Sequence, residues 1–417
     1  MAWGAPIGIP HPGTWFEKTT GDVTEVTSGS TSGNTTFSGT GTADNPKIFR
    51  GVGTPTFSGT GYVYISGNYV IVEGIKVSSN RVIRFDGSYV CLRDSEVTGN
   101  GGNTSKGTVS SLATASYVVI YNNTIHDNGP WDGGTENDIH GVTGTPGCHH
   151  IWIVDNLMYH HGGDSVQFGH TDSNTTHHVF VGRNEMYTDR ENAVDIKRIS
   201  DVVISQNTMH DYVTSSTSEG AAVVVHYCQS NSNVIFNTIY NCTVGISDTS
   251  LDNCSISPLI VRHMGNLMYD CGRGIQTWGS GKRITIANNT MYNLVTGGID
   301  CTNLGSGSLI ENNLLQSVSG SQIVATGSYT SRNNITSTTD AKLINPAALN
   351  FRLQSTSPAI NAGVTPQGYA DFAAYFGESI LFDHDGNPRP INTWDIGAYE
   401  YVEGGLPPNC EIALTVS

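Results

Sequence analysis

The chain has 417 residues and a net charge of −16, from 20 basic and 36 acidic side chains. No run of basic residues occurs, which argues against nucleic acid as a partner, and no apolar stretch approaches the roughly 18–20 residues of a membrane span. Charged residues make up only 13% of the chain, whereas Gly, Ser, Thr and Asn are frequent. This composition favours short strands joined by tight turns, and together with the many Tyr residues it predicts a secreted protein.

Residues 1–60 are rich in Gly, Thr and Pro, and we predict that they form an N-terminal cap and the first strands. Residues 61–340 carry a recurring pattern: two or three apolar residues, two polar residues, Asn, any residue and an apolar residue. The Asn residues of the copies are Asn123, Asn156, Asn184, Asn207, Asn237, Asn266, Asn289, Asn313 and Asn334. They are 21 to 33 residues apart, and a fixed motif at irregular intervals predicts one structural coil with variable loops.

The recurring Asn has a physical explanation in such a coil. An Asn side chain bonds to neighbouring backbone and tolerates the left-handed conformation, so it suits a bend between strands. Equivalent Asn side chains on stacked coils can also bond to one another in a ladder. We therefore predict that these Asn residues are architectural and not catalytic.

A second strand follows each copy of the motif. Alternation along these strands predicts that Val166, Val194, Val223, Ile275 and Ile299 point inward and that the residues on either side point outward. Each repeat buries its apolar side against its neighbours, so a chain of this length needs only one domain. The predicted fold is all-β: a parallel β-helix, which is a solenoid of stacked short strands.

Residues 341–417 lose the repeat and contain SPAINAG (357–363), a helix-like YADFAAYFG (369–377), DHDGNPRP (383–390) and DIGAYEY (395–401). A solenoid needs a terminal cap over its open end, and we assign this segment to that cap. The eight cysteines include no CxxC pair. Their spacing argues against a zinc site and leaves disulfides and buried thiols equally open.

The Asn-bearing coils and the SPAINAG…DGNPRP…DIGAYEY tail resemble secreted right-handed β-helix proteins of the pectate-lyase-like superfamily. The coil resemblance covers roughly residues 60–340, and the tail covers most of the remainder. It implies a right-handed solenoid with terminal caps, and we expect a monomer that acts on a polysaccharide. The superfamily includes polysaccharide lyases, glycoside hydrolases, epimerases and non-catalytic surface proteins, so the fold leaves the activity open.

Stacking the second strands places equivalent residues about 4.8 Å apart on one face. The outward rows then bring Asp164 from one coil together with Glu191, Asn192 and Asp195 from the next. Three carboxylates and one amide are the hard oxygen ligands that Ca²⁺ prefers, so these residues form a candidate calcium site. The alternative is a solvated acidic patch, in which Asp164 and Asn192 bond only to turn backbone.

The order of these residues is similar to the calcium pocket of family-nine pectate lyases, which have an Asp on one coil and a D-D-G-x-D segment on the next. Here GGDSV supplies Asp164, and E-N-A-V-D supplies Glu191, Asn192 and Asp195 in the same order. Glu and Asn replace the paired Asp residues, which implies a weaker negative site.

The resemblance implies β-elimination from a uronic acid: calcium neutralises the carboxylate and acidifies the neighbouring C–H, and a base removes that proton. The catalytic Lys of the family lies on a later coil, where this chain has AAVVVH, so His226 and Lys197 are the nearest candidates for the base. Carboxylates beside Lys197 favour its charged form and make it a poorer base, whereas His226 needs no pKa shift to act near neutral pH. Arg273 is expected to help neutralise the enolate, and His140, which aligns with Asp164 in the stack, is expected to join the site.

A second group of candidate ligands lies just upstream and comprises Glu136, Asp138, His140, His149, His150, His160 and His161. A transition-metal site built from them is conceivable, although their spacing matches no closed zinc motif. Trp131, in the loop from 127 to 147, either stacks on a sugar ring as one wall of a groove or anchors the loop as a buried side chain.

The sequence therefore favours a carbohydrate-active enzyme, and first a polysaccharide lyase that acts on an acidic glycan with Ca²⁺ as cofactor. The second candidate is a glycoside hydrolase, in which Asp195 pairs with Asp164 or Glu191 at a defined carboxyl separation. The third is a non-catalytic adhesin or glycan-binding module, in which the same acidic patch is only surface.

Overall fold

Parallel strand pairing repeats from Asp22 to Arg332 in the computed structural model, which describes residues 14–102, 106–133, 137–169, 175–227, 230–249, 260–278 and 282–403. Each complete coil contributes three strands, which pair with the equivalent strands of the coils before and after it. The strands form about eleven such turns. The predicted right-handed parallel β-helix is confirmed, and the pairing begins within the segment assigned from sequence to the N-terminal cap.

The elements are short and are named here in chain order. The strands are β1 (Asp22–Val26), β2 (Thr35–Thr40), β3 (Lys47–Gly51), β4 (Thr56–Phe57), β5 (Gly61–Glu73), β6 (Lys76–Val77), β7 (Arg81–Arg93), β8 (Glu96–Thr98), β9 (Gly107–Ser111), β10 (Ser116–Tyr121), β11 (Thr124–Asn128), β12 (His140–Gly144), β13 (His149–Val154), β14 (Leu157–His161), β15 (Val166–Phe168), β16 (His177–Gly182), β17 (Glu185–Tyr187), β18 (Val194–Lys197), β19 (Ser200–Ser205), β20 (Thr208–His210), β21 (Ala221–His226), β22 (Ser230–Ile235), β23 (Thr238–Tyr240), β24 (Val244–Thr249), β25 (Ile260–Met264), β26 (Leu267–Tyr269), β27 (Arg273–Trp278), β28 (Arg283–Ala287), β29 (Thr290–Tyr292), β30 (Gly297–Glu311), β31 (Leu314–Gln316), β32 (Ser321–Arg332), β33 (Leu343–Asn345) and β34 (Asn350–Leu353). The helices are the 3₁₀ turns Trp15–Glu17 and Pro346–Ala348 and the α-helix α1 (Gln367–Phe376).

The coil has three faces, named by their order around it. The first face carries the strand before each motif Asn, namely β10, β13, β16, β19, β22, β25 and β28. The second face carries the short strand after the Asn, namely β4, β6, β8, β11, β14, β17, β20, β23, β26, β29 and β31. The third face closes the coil with β9, β12, β15, β18, β21, β24 and β27. The long strands β5, β7, β30 and β32 bend from the third face into the first.

Apolar side chains from all three faces fill the interior of the coil. On the third face, Val166, Val194 and Val223 lie in one register row, and Ile275 and Ile299 pair further along the same row. All five are fully buried, as the alternation predicts. Apolar side chains stacked about 4.8 Å apart exclude water along the whole axis. Because neighbouring residues of a strand point to opposite sides, this buried row also determines which side chains point outward.

The nine motif Asn residues form a continuous ladder at the bend between the first and second faces. Asn207 is typical: its backbone N–H and its Nδ2 both donate to Asn237 Oδ1 at 3.0 Å, and Nδ2 also donates to the Val181 carbonyl at 2.9 Å. Its own Oδ1 accepts from the N–H and Nδ2 of Asn184 at 3.0 and 2.9 Å. Each of the six remaining Asn-to-Asn steps of the ladder has the same pair of hydrogen bonds. The predicted ladder is confirmed.

The left-handed conformation falls on the residue before the ladder Asn, which corrects the expectation drawn from sequence. Asn122, Asp155, Arg183 and Gln206 have φ between 53° and 59°, and none of the nine ladder Asn residues, all of them described, has a positive φ. The ladder Asn must direct its side chain toward the next coil, so the preceding residue takes the turn.

The terminal segments pack against the side of the solenoid. Trp15 and Phe16 pack on the outward side of the first face near one end, and Tyr369 and Phe372 of α1 pack on the same side near the other. The predicted helix in the C-terminal segment is therefore present. Among the described residues, the apolar cluster on the outward side of the third face is the small group Ala221, Val224 and Val244. Glu219 covers part of this face by accepting hydrogen bonds from Ser247 and Gln276.

The five described cysteines, Cys91, Cys148, Cys242, Cys271 and Cys301, are free and buried. Cys228, Cys254 and Cys410 lie outside the described residues. Within the described ranges, the chain forms no helix with the length and apolar character needed to cross a membrane.

Candidate functional site

The candidate site lies where three successive coils enter the third face. Gly141 N–H donates to the Asp164 carbonyl at 3.0 Å, and Ser165 N–H donates to the Asn192 carbonyl at 3.1 Å. Strand β12 begins at His140, and β15 and β18 begin two residues after Asp164 and Asn192. Three side chains that are 24 and 28 residues apart in sequence therefore lie along one edge.

Asp164 is fully buried, and its two carboxylate oxygens have different surroundings. Oδ1 accepts from the backbone N–H of Asn192 at 3.1 Å and from its Nδ2 at 2.8 Å, whereas Oδ2 accepts no hydrogen bond from any described residue. The amide oxygen of Asn192 points to the next coil, where it accepts from Ser218 Oγ at 2.8 Å and Ala221 N–H at 3.3 Å. In this conformation Asn192 orients Asp164, and its own oxygen is already engaged.

His140 is buried between two carboxylates. Its Nε2 lies 3.1 Å from Asp138 Oδ1, and its Nδ1 lies 3.2 Å from Asp164 Oδ2 and 3.0 Å from Asp164 N. Burial alone would lower the pKa of His140, but the neighbouring carboxylates of Asp138 and Asp164 outweigh burial and raise this pKa to about 10. One ligand atom from each of Asp138, His140 and Glu191 lies within 4.8 Å of the others, so Asp138 joins the site.

Asp195 is only 4% exposed, although its side chain belongs to an outward row. Its Oδ2 lies 2.7 Å from Lys197 Nζ, and its Oδ1 accepts no hydrogen bond from any described residue. Burial and the charge of Asp164 raise the pKa of Asp195 to about 7, even though the charges of Lys197 and His140 act in the opposite direction. Asp195 is thus a carboxyl group that changes charge near neutral pH.

The amine of Lys197 interacts with carboxylates of the site. Burial alone would lower its pKa, but the charges of Asp195, Asp164 and Glu191 together raise it. Asp195 is in direct contact with this amine, and Asp164 and Glu191 act on it through their charges. Lys197 therefore stays protonated at neutral pH.

His226 occupies the register position beside Lys197 on the neighbouring strand β21, about 4.8 Å away along the solenoid axis. Burial, then the charges of Lys197 and Lys282, lower the pKa of His226 to about 4. Its ring is therefore neutral at pH 7 and able to accept a proton, but the lowered pKa makes it a weaker base than the unshifted imidazole expected from the sequence.

Lys282 belongs to a buried group of charges that the sequence did not reveal. It bonds to Asp248, whose other carboxylate oxygen lies 3.5 Å from His263 Nε2, and each of the three residues is at most 3% exposed. Asp248 takes an inward position in register with Val225, where alternation alone predicts an apolar residue. The only sequence feature that could have revealed this group is a charged residue at a position of β24 where alternation predicts an inward side chain.

Arg273 lies apart from the carboxylate cluster. It is on β27, three strands from β18, which corresponds to about 14 Å along the axis. Its guanidinium group is ion-paired with Asp300. Trp278, on the same strand, shares the outward row of Lys197 and is 42% exposed, so this row ends in an accessible aromatic ring.

A buried hydrogen-bond network anchors the turn that carries Asp164. The Asp189 carboxylate accepts from His161 N–H at 2.8 Å, His161 Nδ1 at 2.6 Å, Ser165 Oγ at 2.5 Å and Tyr212 OH at 2.8 Å. These bonds fix Ser165 and therefore the backbone of its neighbour Asp164. Sequence reasoning missed Asp189, because its partners come from the coil before it and the coil after it.

The upstream histidines are distributed over separate places. His160 stacks on Trp131 with ring centroids 3.7 Å apart, so one face of the indole is covered and the loop is anchored. His149 and His150 begin β13 on the first face, away from the entry to the third. Glu136 lies outside the described residues. The upstream group therefore does not form one metal site.

The carboxylates fit a hard cation. Asp195 Oδ1 is a buried oxygen without a hydrogen-bond donor among the described residues, and such an atom costs free energy unless a positive charge or water meets it. Asp164 Oδ2 also accepts no hydrogen bond in the described part of the chain, but the ring of His140 lies 3.2 Å away. Glu191 and the exposed Asp138 add carboxylates on the solvent side. A set of charged oxygen donors suits Ca²⁺ better than a transition metal.

No protein-family model matches the chain, and no curated protein matches it. Similar solved structures include the pectate lyase Pel9A, with 14% identity, coverage of 92% of this chain and 87% of that chain, and a TM-score of 0.44. The A-module of the Azotobacter vinelandii mannuronan C-5 epimerase AlgE6 has 14% identity, coverage of 72% and 83%, and a TM-score of 0.47. The Streptococcus pneumoniae surface protein and adhesin PfbA has 9% identity, coverage of 77% and 90%, and a TM-score of 0.44. At these identities and TM-scores the likeness does not extend to activity, and the strand pairing itself defines this chain as a parallel β-helix protein.

Proposed function

We propose that this protein is a polysaccharide lyase that cleaves an acidic, uronic-acid-containing glycan by calcium-assisted β-elimination. The observation that carries the proposal is geometric: Asp195 Oδ2 lies 2.7 Å from Lys197 Nζ, His226 is at the register position beside Lys197, and one ligand atom from each of Asp138, His140 and Glu191 lies within 4.8 Å of the others. An acidic cluster alone would repel a polyuronide. A divalent cation bound among these carboxylates would neutralise the local charge and supply an attachment point for the substrate carboxylate.

The residues that would hold Ca²⁺ are Asp164 through Oδ2, Asp195 through Oδ1, and Glu191 and Asp138 from the solvent side. Asn192 supports this set by orienting Asp164. Bound there, Ca²⁺ neutralises the substrate carboxylate and acidifies the adjacent C–H bond.

The proton transfer and the stabilisation of charge are assigned to side chains of the protein. His226 is neutral at pH 7 and accepts the proton from the carbon next to the carboxylate. Lys197 stays protonated and stabilises the negative charge that develops on the carboxylate as the proton leaves. The electron pair of the broken C–H bond forms the new double bond, and the glycosidic oxygen departs. His140, held between Asp138 and Asp164, positions Asp164.

The outward row that contains Lys197 and His226 continues toward Trp278. An exposed indole ring on this row can stack on a sugar several positions from the cleaved bond. A polymer lying parallel to the solenoid axis along this row would contact Lys197, His226 and Trp278. Arg273 is ion-paired with Asp300 at the other end of β27, about 16 Å across the face from Trp278, so it lies outside this path.

A glycoside hydrolase is the second candidate, and the pKa of Asp195 favours it. A carboxyl group whose pKa is raised to about 7 can act as a general acid at neutral pH, with a neighbouring carboxylate as base or nucleophile. This mechanism needs no metal ion, so calcium dependence separates the two candidates.

The test uses chelator-treated protein and a panel of polyuronides and neutral glycans, with Ca²⁺ restored to half of the samples. A lyase produces the ultraviolet absorbance of an unsaturated uronate only where Ca²⁺ is restored. Asp195→Asn should abolish that signal. Asp300→Asn, which removes another ion-paired carboxylate from the same outward row four strands away, should retain it.

Two other outcomes contradict the lyase proposal. New reducing ends without the absorbance, independent of chelator, would identify a hydrolase. Binding to a glycan without either product across the whole panel would identify a non-catalytic binding protein.

A further inference from the structure

Four histidines gather at the corner where two successive coils enter the first face. His149 and His150 begin β13, His177 and His178 begin β16, and His149 pairs in register with His177. His150 and His178 have φ of 55° and 56°. This left-handed turn directs both side chains of each pair to the same side of the chain, where an extended strand would direct them to opposite sides.

The four rings form two parallel columns. His149 stacks on His177 with centroids 5.0 Å apart, and His150 stacks on His178 at 4.5 Å. Across the columns, the Nδ1 atoms of His149 and His150 are 2.8 Å apart, and those of His177 and His178 are 2.7 Å apart. The His150 column continues through Tyr117 at 4.6 Å.

Three of these residues have the ligand atoms of a metal site. One ring nitrogen from each of His150, His177 and His178 lies within 4.8 Å of the other two, and all three residues are partly exposed. Imidazole nitrogens are ligands that Zn²⁺, Ni²⁺ and Cu²⁺ commonly take in proteins.

An anionic side chain stands beside the three rings. Asp201 Oδ2 lies 3.5 Å from His178 Nδ1, while Asp201 Oδ1 accepts from Asn231 Nδ2 at 3.1 Å and from Tyr375 OH at 2.6 Å. Because these two bonds hold Oδ1, the free Oδ2 is directed toward the His column. A carboxylate next to ligating imidazoles is the usual outer partner or fourth ligand of such a site.

We propose that His150, His177 and His178 bind one divalent transition-metal ion, with Asp201 as the adjacent carboxylate. Three imidazoles and one carboxylate suit Zn²⁺, Ni²⁺ or Cu²⁺ and not Ca²⁺. Coordination requires one of the stacked rings to rotate, because a metal ion must lie in the plane of each imidazole it binds. This site shares no residue with the carboxylate cluster of the third face, and it stands or falls independently of the lyase proposal.

The experiment titrates chelator-stripped full-length protein with Zn²⁺ and with Co²⁺ in the presence of excess Ca²⁺, which saturates oxygen-ligand sites. Calorimetry should show one tightly bound transition-metal ion per chain, and bound Co²⁺ should give the visible spectrum of nitrogen coordination. His150→Gln and His178→Gln should each weaken binding by about tenfold or more and remove the Co²⁺ spectrum.

Two control variants locate the ion. His210→Gln changes a partly exposed histidine that is stacked between Tyr187 and Tyr240 on the second face, and it should leave the affinity unchanged. Asp138→Asn removes a carboxylate from the other cluster and should also leave it unchanged. Circular dichroism shows whether each variant is folded, and His177→Gln replaces any variant that is not.

Three results would overturn the proposal: no Zn²⁺ binding by the wild-type chain, unchanged binding in the folded His150 and His178 variants, or loss of binding in Asp138→Asn alone.

Discussion

Asp195 and Lys197 stand two residues apart on β18, and Asp195 Oδ2 lies 2.7 Å from Lys197 Nζ. The ion pair uses one carboxylate oxygen and leaves Oδ1 buried without a donor among the described residues. One oxygen thus holds the Lys197 amine, and the other is the oxygen that would bind a cation under the proposed function. This division of roles makes Asp195 the most informative residue to change.

Asp195→Asn should reduce calcium affinity by at least about tenfold, because it removes a charged ligand from the site and leaves its shape nearly unchanged. Calorimetric titration of chelator-treated protein measures the effect. Asp300→Asn, which removes an ion-paired carboxylate further along the same row, should bind calcium as the wild type does. Equal affinities for the wild type and Asp195→Asn would place the ion elsewhere.

Calcium affinity should rise with pH through neutrality. Burial and the Asp164 charge raise the pKa of Asp195 to about 7, so a proton competes with the ion below that pH and the carboxylate is available above it. Affinity should therefore fall by about tenfold per pH unit below pH 7. Titrations in buffers of different ionisation enthalpy should reveal proton release on binding. A pH-independent affinity between pH 5 and 8 would contradict this role for Asp195.

His226→Ala should lower kcat by about 10²–10⁴-fold with little change in KM, because it removes the proposed base and no calcium ligand. Initial rates of unsaturated product formation measure both constants. Thr249→Ala, which changes the next residue of the same outward row, should keep wild-type kcat. If Lys197→Ala alone abolishes kcat and His226→Ala does not, Lys197 is the base.

Trp278→Ala should raise KM for a long polymer about five- to tenfold, because a stacking contact of about 1–1.5 kcal/mol is lost, while kcat stays constant. Short oligomers that do not reach β27 should show no difference between the variant and the wild type. Val295→Ala, at a residue that is 66% exposed, serves as a surface control. Unchanged KM on every polymer would exclude Trp278 from the substrate path.

Asn207→Ala should destabilise the fold by about 2–4 kcal/mol, because it removes its own bonds to Asn237 and Val181 and leaves the donors of Asn184 without an acceptor. Urea unfolding measures the free energy of unfolding. Asn45→Ala, at an exposed position, should change it by less than about 0.5 kcal/mol. Similar losses in both variants would show that the ladder contributes no special stability.

The fold could be predicted because its determinants repeat. A single Asn gives a weak signal, but nine copies in the same local pattern define the coil, and alternation then identifies Val166 and Val194 as inward residues. The placement of Asp164 beside the coil that carries Asp195 followed from the same logic. These predictions require only knowing which residues of each strand point inward, and the alternation of apolar residues in the sequence gives that.

The remaining parts of the site depend on features that have no repeat. Whether the Asn192 amide faces an ion or the next coil is decided by Ser218, which lies in an irregular loop. Asp138 also reaches the site from a loop. Arg273 matches the row of Asp164 in sequence, yet the number of intervening coils places it about 14 Å from β18. Aligning the repeats shows which outward row a residue belongs to. Its distance from another residue of that row depends on how many coils lie between them.

Because of the Asn ladder, the spacing of the strands does not depend on the number of residues in each loop. Each ladder Asn is held by the Asn of the next coil, so residues inserted into a loop bulge outward and do not shift the strands that follow. Loop lengths can therefore vary around the third face while the strands that follow Asp164 and Asn192 keep their spacing. The solenoid tolerates insertions and deletions at its corners without changing the distance between neighbouring strands.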